Sequence, residues 1–210
     1  MLSKQGFDLW ANGYDKTVQL SEESNQYPFA GYKEILNTIF NEVMQQGIGA
    51  VLDIGFGTGV LTTKLYEHGH QISGFDFSSK MLEIAKTKMP LAHLYEWDLN
   101  NGLPVAHFDT NYDAIISTYA LHHLTDERKV DYILELLPQL TQSGKIYIGD
   151  IAFETQEQLE KCRHESVDYW DDDEYYFVHE QFSRLLDGKC KVEFHPISHC
   201  GGIFVISKLS

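Results

Sequence analysis

The sequence is short of basic residues, of cysteine and of long apolar runs, and each shortage closes off a class of function. Lysine and arginine number 16 against 31 aspartates and glutamates, a formal net charge of −15. A surplus of this sign repels polyanions at long range, and no basic stripe could track a phosphate backbone. DNA, RNA and anionic membrane surfaces are therefore disfavoured as partners. Three cysteines, Cys162, Cys190 and Cys200, are an odd number without CxxC spacing, which fits reduced thiols in a cytoplasmic protein. No apolar stretch approaches the roughly 20 residues needed to span a bilayer. The N-terminal MLSKQGFDLW lacks the long apolar core of a signal peptide. Repeats and low-complexity tracts are also missing. What remains is a globular composition, 43% hydrophobic and 13% aromatic over 210 residues, enough for one α/β domain with an adequate core.

Apolar strands alternate with amphipathic helices, the pattern of a parallel sheet covered on both faces. Ile35, Leu36, Ile39, Phe40, Val43 and Met44 recur at helical spacing and predict a helix over 30–46, stopped by Gly47. Strands are expected at 50–55, 70–76, 92–97, 112–118 and 145–153, with helices near 58–68, 78–88 and 126–137 between them. Ser78 is a good N-cap for its helix. Beyond 153 the alternation breaks into helical sequence at 155–168 and 178–187. Two closing strands, KVEFHPIS and GIFVISKL, are joined too tightly for anything but antiparallel pairing. Pro196 places the first of them at a sheet edge. The expected fold is a three-layer, Rossmann-like α/β domain with a seven-stranded sheet, mostly parallel with a C-terminal antiparallel hairpin. It is one domain over 1–210, with an N-terminal helical lid (1–46) and a helical insert (154–188) shaping a substrate pocket.

The most informative segment is VLDIGFGTGVLT at 51–62. A buried strand runs into three alternating glycines, Gly55, Gly57 and Gly59, which open a helix. A second strand ends at Asp76, 21 residues after Gly55, and brings a carboxylate to the same sheet edge. Glycines let a backbone approach a ligand, and the acid suits ribose hydroxyls, so the layout fits a nucleoside-bearing cofactor. A dinucleotide fingerprint would need glycine where Val60 stands, which disfavours an NAD-dependent oxidoreductase. The G-x-G-x-G written here resembles instead the first motif of the class I S-adenosylmethionine (SAM) dependent methyltransferases.

That resemblance implies a site for SAM, released as S-adenosyl-L-homocysteine after the methyl group has moved. It gives Asp53 the role of holding the loop and facing the methionine amino group, and Asp76 the ribose, with Phe77 alongside the adenine. Asp98 would accept from the adenine amine, and the Leu99 backbone would meet the ring. Tyr119, in STYALHH, would wall the methionine arm. The N-terminal FDLWANGYDKTV resembles the cofactor-capping segment of many small-molecule methyltransferases, with Trp10 as anchor and Tyr14 reaching the reactive methyl. Each position has a plainer reading: Asp53 as a loop strut, Asp98 as a turn residue, the N-terminal aromatics as core.

For such an enzyme the implied chemistry is an in-line SN2 displacement on an already electrophilic methyl, so the protein chiefly positions and desolvates the reactants. A general base is needed only if the acceptor must shed a proton, and His122, His123, Tyr14 and Asp150 are the candidates. A metal is not expected, because adjacent residues point apart on a strand and no third ligand stands out nearby. The segment DYWDDDEYYF at 168–177 could make an aromatic pocket with a negative rim for a cationic or amine-bearing small molecule, or a solvated acidic turn. A SAM-binding sensor or scaffold without turnover is the competing function, and the oligomeric state is left open.

Overall fold

The computed structural model describes residues 25–104, 108 and 111–209. Its core is a sheet whose central strands are buried on both faces. In Val51-Leu52, Ile115-Ile116, Ile146-Tyr147-Ile148 and Ile203-Phe204, successive side chains enter two separate apolar clusters. This is why those segments read as continuous apolar runs rather than as alternating ones.

The elements follow in order α1 (Tyr32–Gln45), β1 (Ala50–Ile54), α2 (Val60–Glu67), β2 (Gln71–Asp76), α3 (Ser79–Lys88), β3 (His93–Glu96), β4 (Tyr112–Thr118), α4 (Asp126–Leu136), β5 (Leu140–Phe153), α5 (Gln156–Glu165), β6 (Phe177–Val178), α6 (His179–Leu185), β7 (Lys191–Pro196) and β8 (Gly201–Ser207). Spatial order is β3-β2-β1-β4-β5-β8-β7, with β6 paired to the end of β5. All pairings are parallel except those of β8, which runs antiparallel to both β5 and β7. Cluster one packs residues of α1, α2, α3 and α5 on one face, and cluster two packs α4 and α6 on the other. No described helix is long and apolar enough to cross a membrane.

The helix boundaries have local causes. Ser78 caps α3 by accepting from Met81 N–H at 3.2 Å. Thr125 caps α4, and Thr155 with Gln158 forms a full capping box on α5. α2 differs: its N-cap is Gly59 at φ +73°, and no side chain caps it.

Three expectations need correction. The sheet has eight strands rather than seven, because Phe177–Val178 pairs with Ala152–Phe153 inside the segment expected to be helical. Two residues are too few to show a sequence period. β5 begins at Leu140 rather than 145; Gly144 lets it pass the Tyr112 carbonyl, which a Cβ there would meet at 2.7 Å. Gly201 and Gly202 belong to β8, and the hairpin turn is Ile197–Cys200. Pro196 does end an edge strand.

Candidate functional site

β1 lies between β2 and β4, so the chain leaves it in one direction for β2 and β3 and in the other for β4 and β5. The loops at its carboxyl end diverge and leave a crevice, the usual ligand position of an open α/β sheet. A cleft of about 1060 Å³, counted to its open mouth, occupies this place. Asp53, Gly55, Gly57, Asp76, Phe77, Asp98, Leu99, Tyr119 and His123 all line it. Trp10 and Tyr14 lie outside the described residues. Gly59 and His122 are not on the wall.

The glycine loop shows why each glycine stands where it does. Gly55, Gly57 and Gly59 all have positive φ, of 72°, 53° and 73°, a region that costs other residues energy. A Cβ on Gly55 would come within 2.5 Å of the Ala120 Cβ, and one on Gly59 would meet the Met89 side chain at 3.0 Å. Only at Gly57 does the added carbon meet nothing within 4 Å. Gly57 leaves the open cradle, Gly55 lets the loops after β1 and β4 touch, and Gly59 lets α2 begin. Lys88 Nζ ties the loop to α3 by donating to the Thr58 carbonyl at 2.8 Å.

Asp76 closes the loop from the β2 side. Its carboxylate accepts from Gly57 N–H and Ser78 N–H, both at 2.9 Å. Asp53 is 2% exposed and accepts from the Thr62 hydroxyl through Oδ2, while its buried Oδ1 has no hydrogen-bond partner among the described residues. Burial raises its pKa to about 7; the Thr62 bond opposes the shift and Asp76 adds to it. Asp98 has the turn role weighed for it. It is on the cleft wall and caps a 3₁₀ turn by accepting from the Asn100 backbone and side chain at 2.9 Å each.

Tyr119 is a non-glycine residue at φ +51°, held there by its N–H bond to the Gly149 carbonyl at 2.9 Å. Backbone strain of this kind persists only where surroundings enforce it. Here the ring packs on Phe29 and Tyr32, at centroid distances of 5.2 and 5.3 Å. Tyr32 itself lines the cleft, as do Trp97 and Thr62. Sequence reading missed these three. Tyr32 stands at the start of the predicted helix 30–46, and Thr62 looked like any first-turn helix residue.

The two histidines sit on a 3₁₀ turn, Leu121–His123, not on a strand. Their rings consequently meet, with centroids 4.2 Å apart, and Glu174 brings Oε1 to 3.7 Å from His122 Nε2 and 3.6 Å from His123 Nδ1. The grounds for expecting diverging side chains and no third group nearby do not hold. His122 is buried, and its Nδ1 lies 2.5 Å from Asp150 Oδ1. Burial alone would lower its pKa, but the attraction of Asp150 and the hydrogen bond to it outweigh that, and the net shift is upward. His123 goes the other way, down to about 3, through burial and the neighbouring His122. Burial also raises Glu174, outweighing the pull of His122.

Of the two readings of the acidic segment, the described residues favour the solvated turn. None of residues 168–177 lines the cleft. Asp172 is exposed and pairs with Arg163 at 2.6 Å, and Asp171 accepts from Asp173 N–H within a turn. Trp170 and Tyr176 instead pack on Tyr27 and on each other, at centroid distances of 5.1, 6.0 and 4.8 Å. Glu174 is the acid of this run that turns inward.

Comparison with known proteins gives the same outline. A family profile described as "Methyltransferase domain" matches residues 51–144. An uncharacterized methyltransferase of Alkaliphilus oremlandii is 38% identical over 153 residues, 73% of this chain and 69% of that one. Among solved structures, a DhpI–SAH complex aligns with TM-score 0.67 at 16% identity, covering 98% of this chain and 94% of that one. Magnesium protoporphyrin IX methyltransferase from Synechocystis PCC 6803, with bound SAH, also aligns at TM-score 0.67, with 18% identity over 86% of this chain and 85% of that one. At such identities the structural likeness concerns the fold.

Proposed function

This chain belongs to the class I SAM-dependent methyltransferases, and we propose that it transfers the methyl group by in-line displacement to a small-molecule acceptor. One observation carries the reading: Asp53 and Gly57, Asp76, and His123, from three separate stretches of the chain, line a single cleft at the sheet's switch point. Its residues suit the cofactor. The buried, unpartnered Asp53 Oδ1 wants a cationic donor such as the methionine ammonium. The uncapped start of α2 favours its carboxylate. Asp76 takes the ribose hydroxyls, Phe77 and Leu99 flank the adenine, and Asp98 accepts from its amine.

SAM supplies a sulfonium methyl that needs no further activation. The chain's part is to hold the nucleophile in line and keep water out. Tyr32 and Tyr119, with Phe29 packed against Tyr119, form an aromatic wall on that side. His123 is the described side chain that meets the acceptor, with His122 fixed behind it by Asp150. The resemblance of FDLWANGYDKTV to a cofactor-capping segment supports adding Tyr14 and Trp10 to this set. The net charge of −15 supports a small acceptor rather than a nucleic acid.

The reading is tested by thermal unfolding with S-adenosylhomocysteine or NAD at saturating concentration. SAH is expected to raise the melting temperature by about 5 °C or more at a hundredfold excess over Kd, and NAD to leave it unchanged. No response to SAH sinks the assignment. A coupled SAH-release screen over amines, thiols, phenols and carboxylates then sorts the acceptor; binding without turnover on any of them favours the sensor.

Asp53 gives the site a pH signature. Its folded pKa of about 7 lies above the ordinary 3.8, so the free protein binds more protons than the unfolded chain between these values. Stability from this group therefore falls as pH rises from about 4 to 7. A methionine ammonium against Oδ1 favours the ionised form, so cofactor binding expels the proton. Affinity for SAM is expected to rise about tenfold from pH 6 to pH 8, and Asp53→Asn should flatten the profile in calorimetric titrations. An unchanged slope in that variant would refute the role.

A further inference from the structure

His122, His123 and Glu174 form a compact group whose three-fold convergence methyl transfer does not itself require. Their ligand atoms, one from each residue, all lie within 4.8 Å of one another. The separations from Glu174 Oε1, 3.7 Å to His122 Nε2 and 3.6 Å to His123 Nδ1, are too long for hydrogen bonds. They are close to the spacing of two ligands on one ion: donors about 2.1 Å from a tetrahedral metal stand roughly 3.4 Å apart. Two of the three donors are also held from behind. Asp150 Oδ1 sits 2.5 Å from His122 Nδ1, and Tyr176 donates its hydroxyl to Glu174 Oε2 at 2.9 Å. Carboxylates behind ligating imidazoles, and hydrogen bonds to ligating carboxylates, are what orient donors around a metal. Asp150 is itself fully buried.

We propose that His122 Nε2, His123 Nδ1 and Glu174 Oε1 bind a divalent first-row transition ion of the zinc class. Two imidazoles and one carboxylate select such an ion over magnesium or calcium, which take oxygen donors. Its double charge neutralises the two carboxylates, Glu174 and Asp150, brought to the pair of imidazoles. The ligands come from two places: the turn after β4 supplies both histidines, and the segment between α5 and β6 supplies the glutamate. The ion therefore pins that segment beside the cleft, where His123 forms part of the wall. Three protein ligands leave at least one position open.

The test uses the full chain, treated with a chelator and exchanged into metal-free buffer. Zn²⁺ alone is titrated in by calorimetry, and Co²⁺ is added as a spectroscopic substitute whose visible absorption reports nitrogen and oxygen ligation. One equivalent is expected to bind with micromolar or tighter affinity and to raise the melting temperature by several degrees, reversed by the chelator. Glu174→Gln and His123→Gln should each weaken binding at least thirtyfold and bleach the Co²⁺ spectrum, while native circular dichroism and cooperative thermal unfolding of both variants show that they are folded. If one variant fails to fold, the other carries the same reading. No Zn²⁺ binding by the native chain, or binding of equal strength in the folded variants, overturns the proposal, the latter placing the ion on surface histidines. Because no readout depends on turnover, failure here leaves the methyltransferase assignment standing.

Discussion

Replacing Asp76 with alanine is expected to weaken SAM and SAH binding by at least a hundredfold, one of two strong effects this structure implies. The carboxylate sits at the end of β2 on the cleft wall, with its rotamer fixed by Gly57 and Ser78 N–H groups at 2.9 Å. Hydrogen bonds from ribose hydroxyls to an ionised acceptor contribute about 1.5 kcal/mol or more each, and two of them correspond to about a hundredfold or more. Alanine also releases the Gly57 amide, so the loop loosens as the ligand contact is lost. Asp76→Asn separates the two effects. It keeps an acceptor for one amide but loses the charge, and it should retain more stability than affinity. Calorimetric titration of SAH, beside thermal unfolding of the free variants, reads both quantities. Binding by the alanine variant within threefold of the native chain would remove Asp76 from the cofactor site.

The second large effect concerns Lys129, whose side chain is completely buried. Its Nζ donates to Asp126 Oδ1 at 2.8 Å and to the Tyr175 carbonyl, and lies 4.2 Å from the centroid of the Phe177 ring. Burial pulls its pKa down, and Asp126 opposes the shift. Asp126 is 44% exposed and water can replace its partner, so the cost comes from the void left by the lysine stem and from the orphaned Tyr175 carbonyl, about 2–4 kcal/mol together. Lys129→Ala should therefore lower stability by about 3 kcal/mol, or roughly 6–12 °C for a chain of this size. Lys129→Met keeps the stem packing and should lose less. Denaturant unfolding compares the three proteins, and a loss under 1 kcal/mol for alanine would mean that the contacts carry little. Tyr175 N–H also donates to the His122 carbonyl at 2.7 Å, so the same lysine steadies the chain beside Glu174.

The sheet and the cofactor loop were legible because their causes are local. Strands buried on both faces show as unbroken apolar runs, and a loop needing positive φ at alternate positions must be written in glycine. The separate duties of Gly55, Gly57 and Gly59 were not legible. They depend on Ala120 and Met89, which approach only in the folded chain. Tyr32 and Thr62 were missed for a similar reason, since helix periodicity assigns a buried face without saying whether that face meets core or cleft. The His122–His123–Glu174 group was hidden twice. A 3₁₀ turn brought together rings that a strand would separate, and the glutamate arrives from 51 residues beyond His123. β6 was invisible because two residues carry no period.

The edges of the sheet govern how this protein behaves in company. β7 is an edge strand that turns mostly partly exposed or exposed residues outward, carries Lys191, Glu193 and His195 in alternation, and ends in Pro196, which has no N–H to offer. The opposite edge, β3, is only four residues long. A foreign strand finds a short template on one side and a charged, proline-ended one on the other. The fold thus withholds its backbone from neighbours, and a crowded solution of it is protected against sheet-to-sheet aggregation by geometry as well as by mutual repulsion.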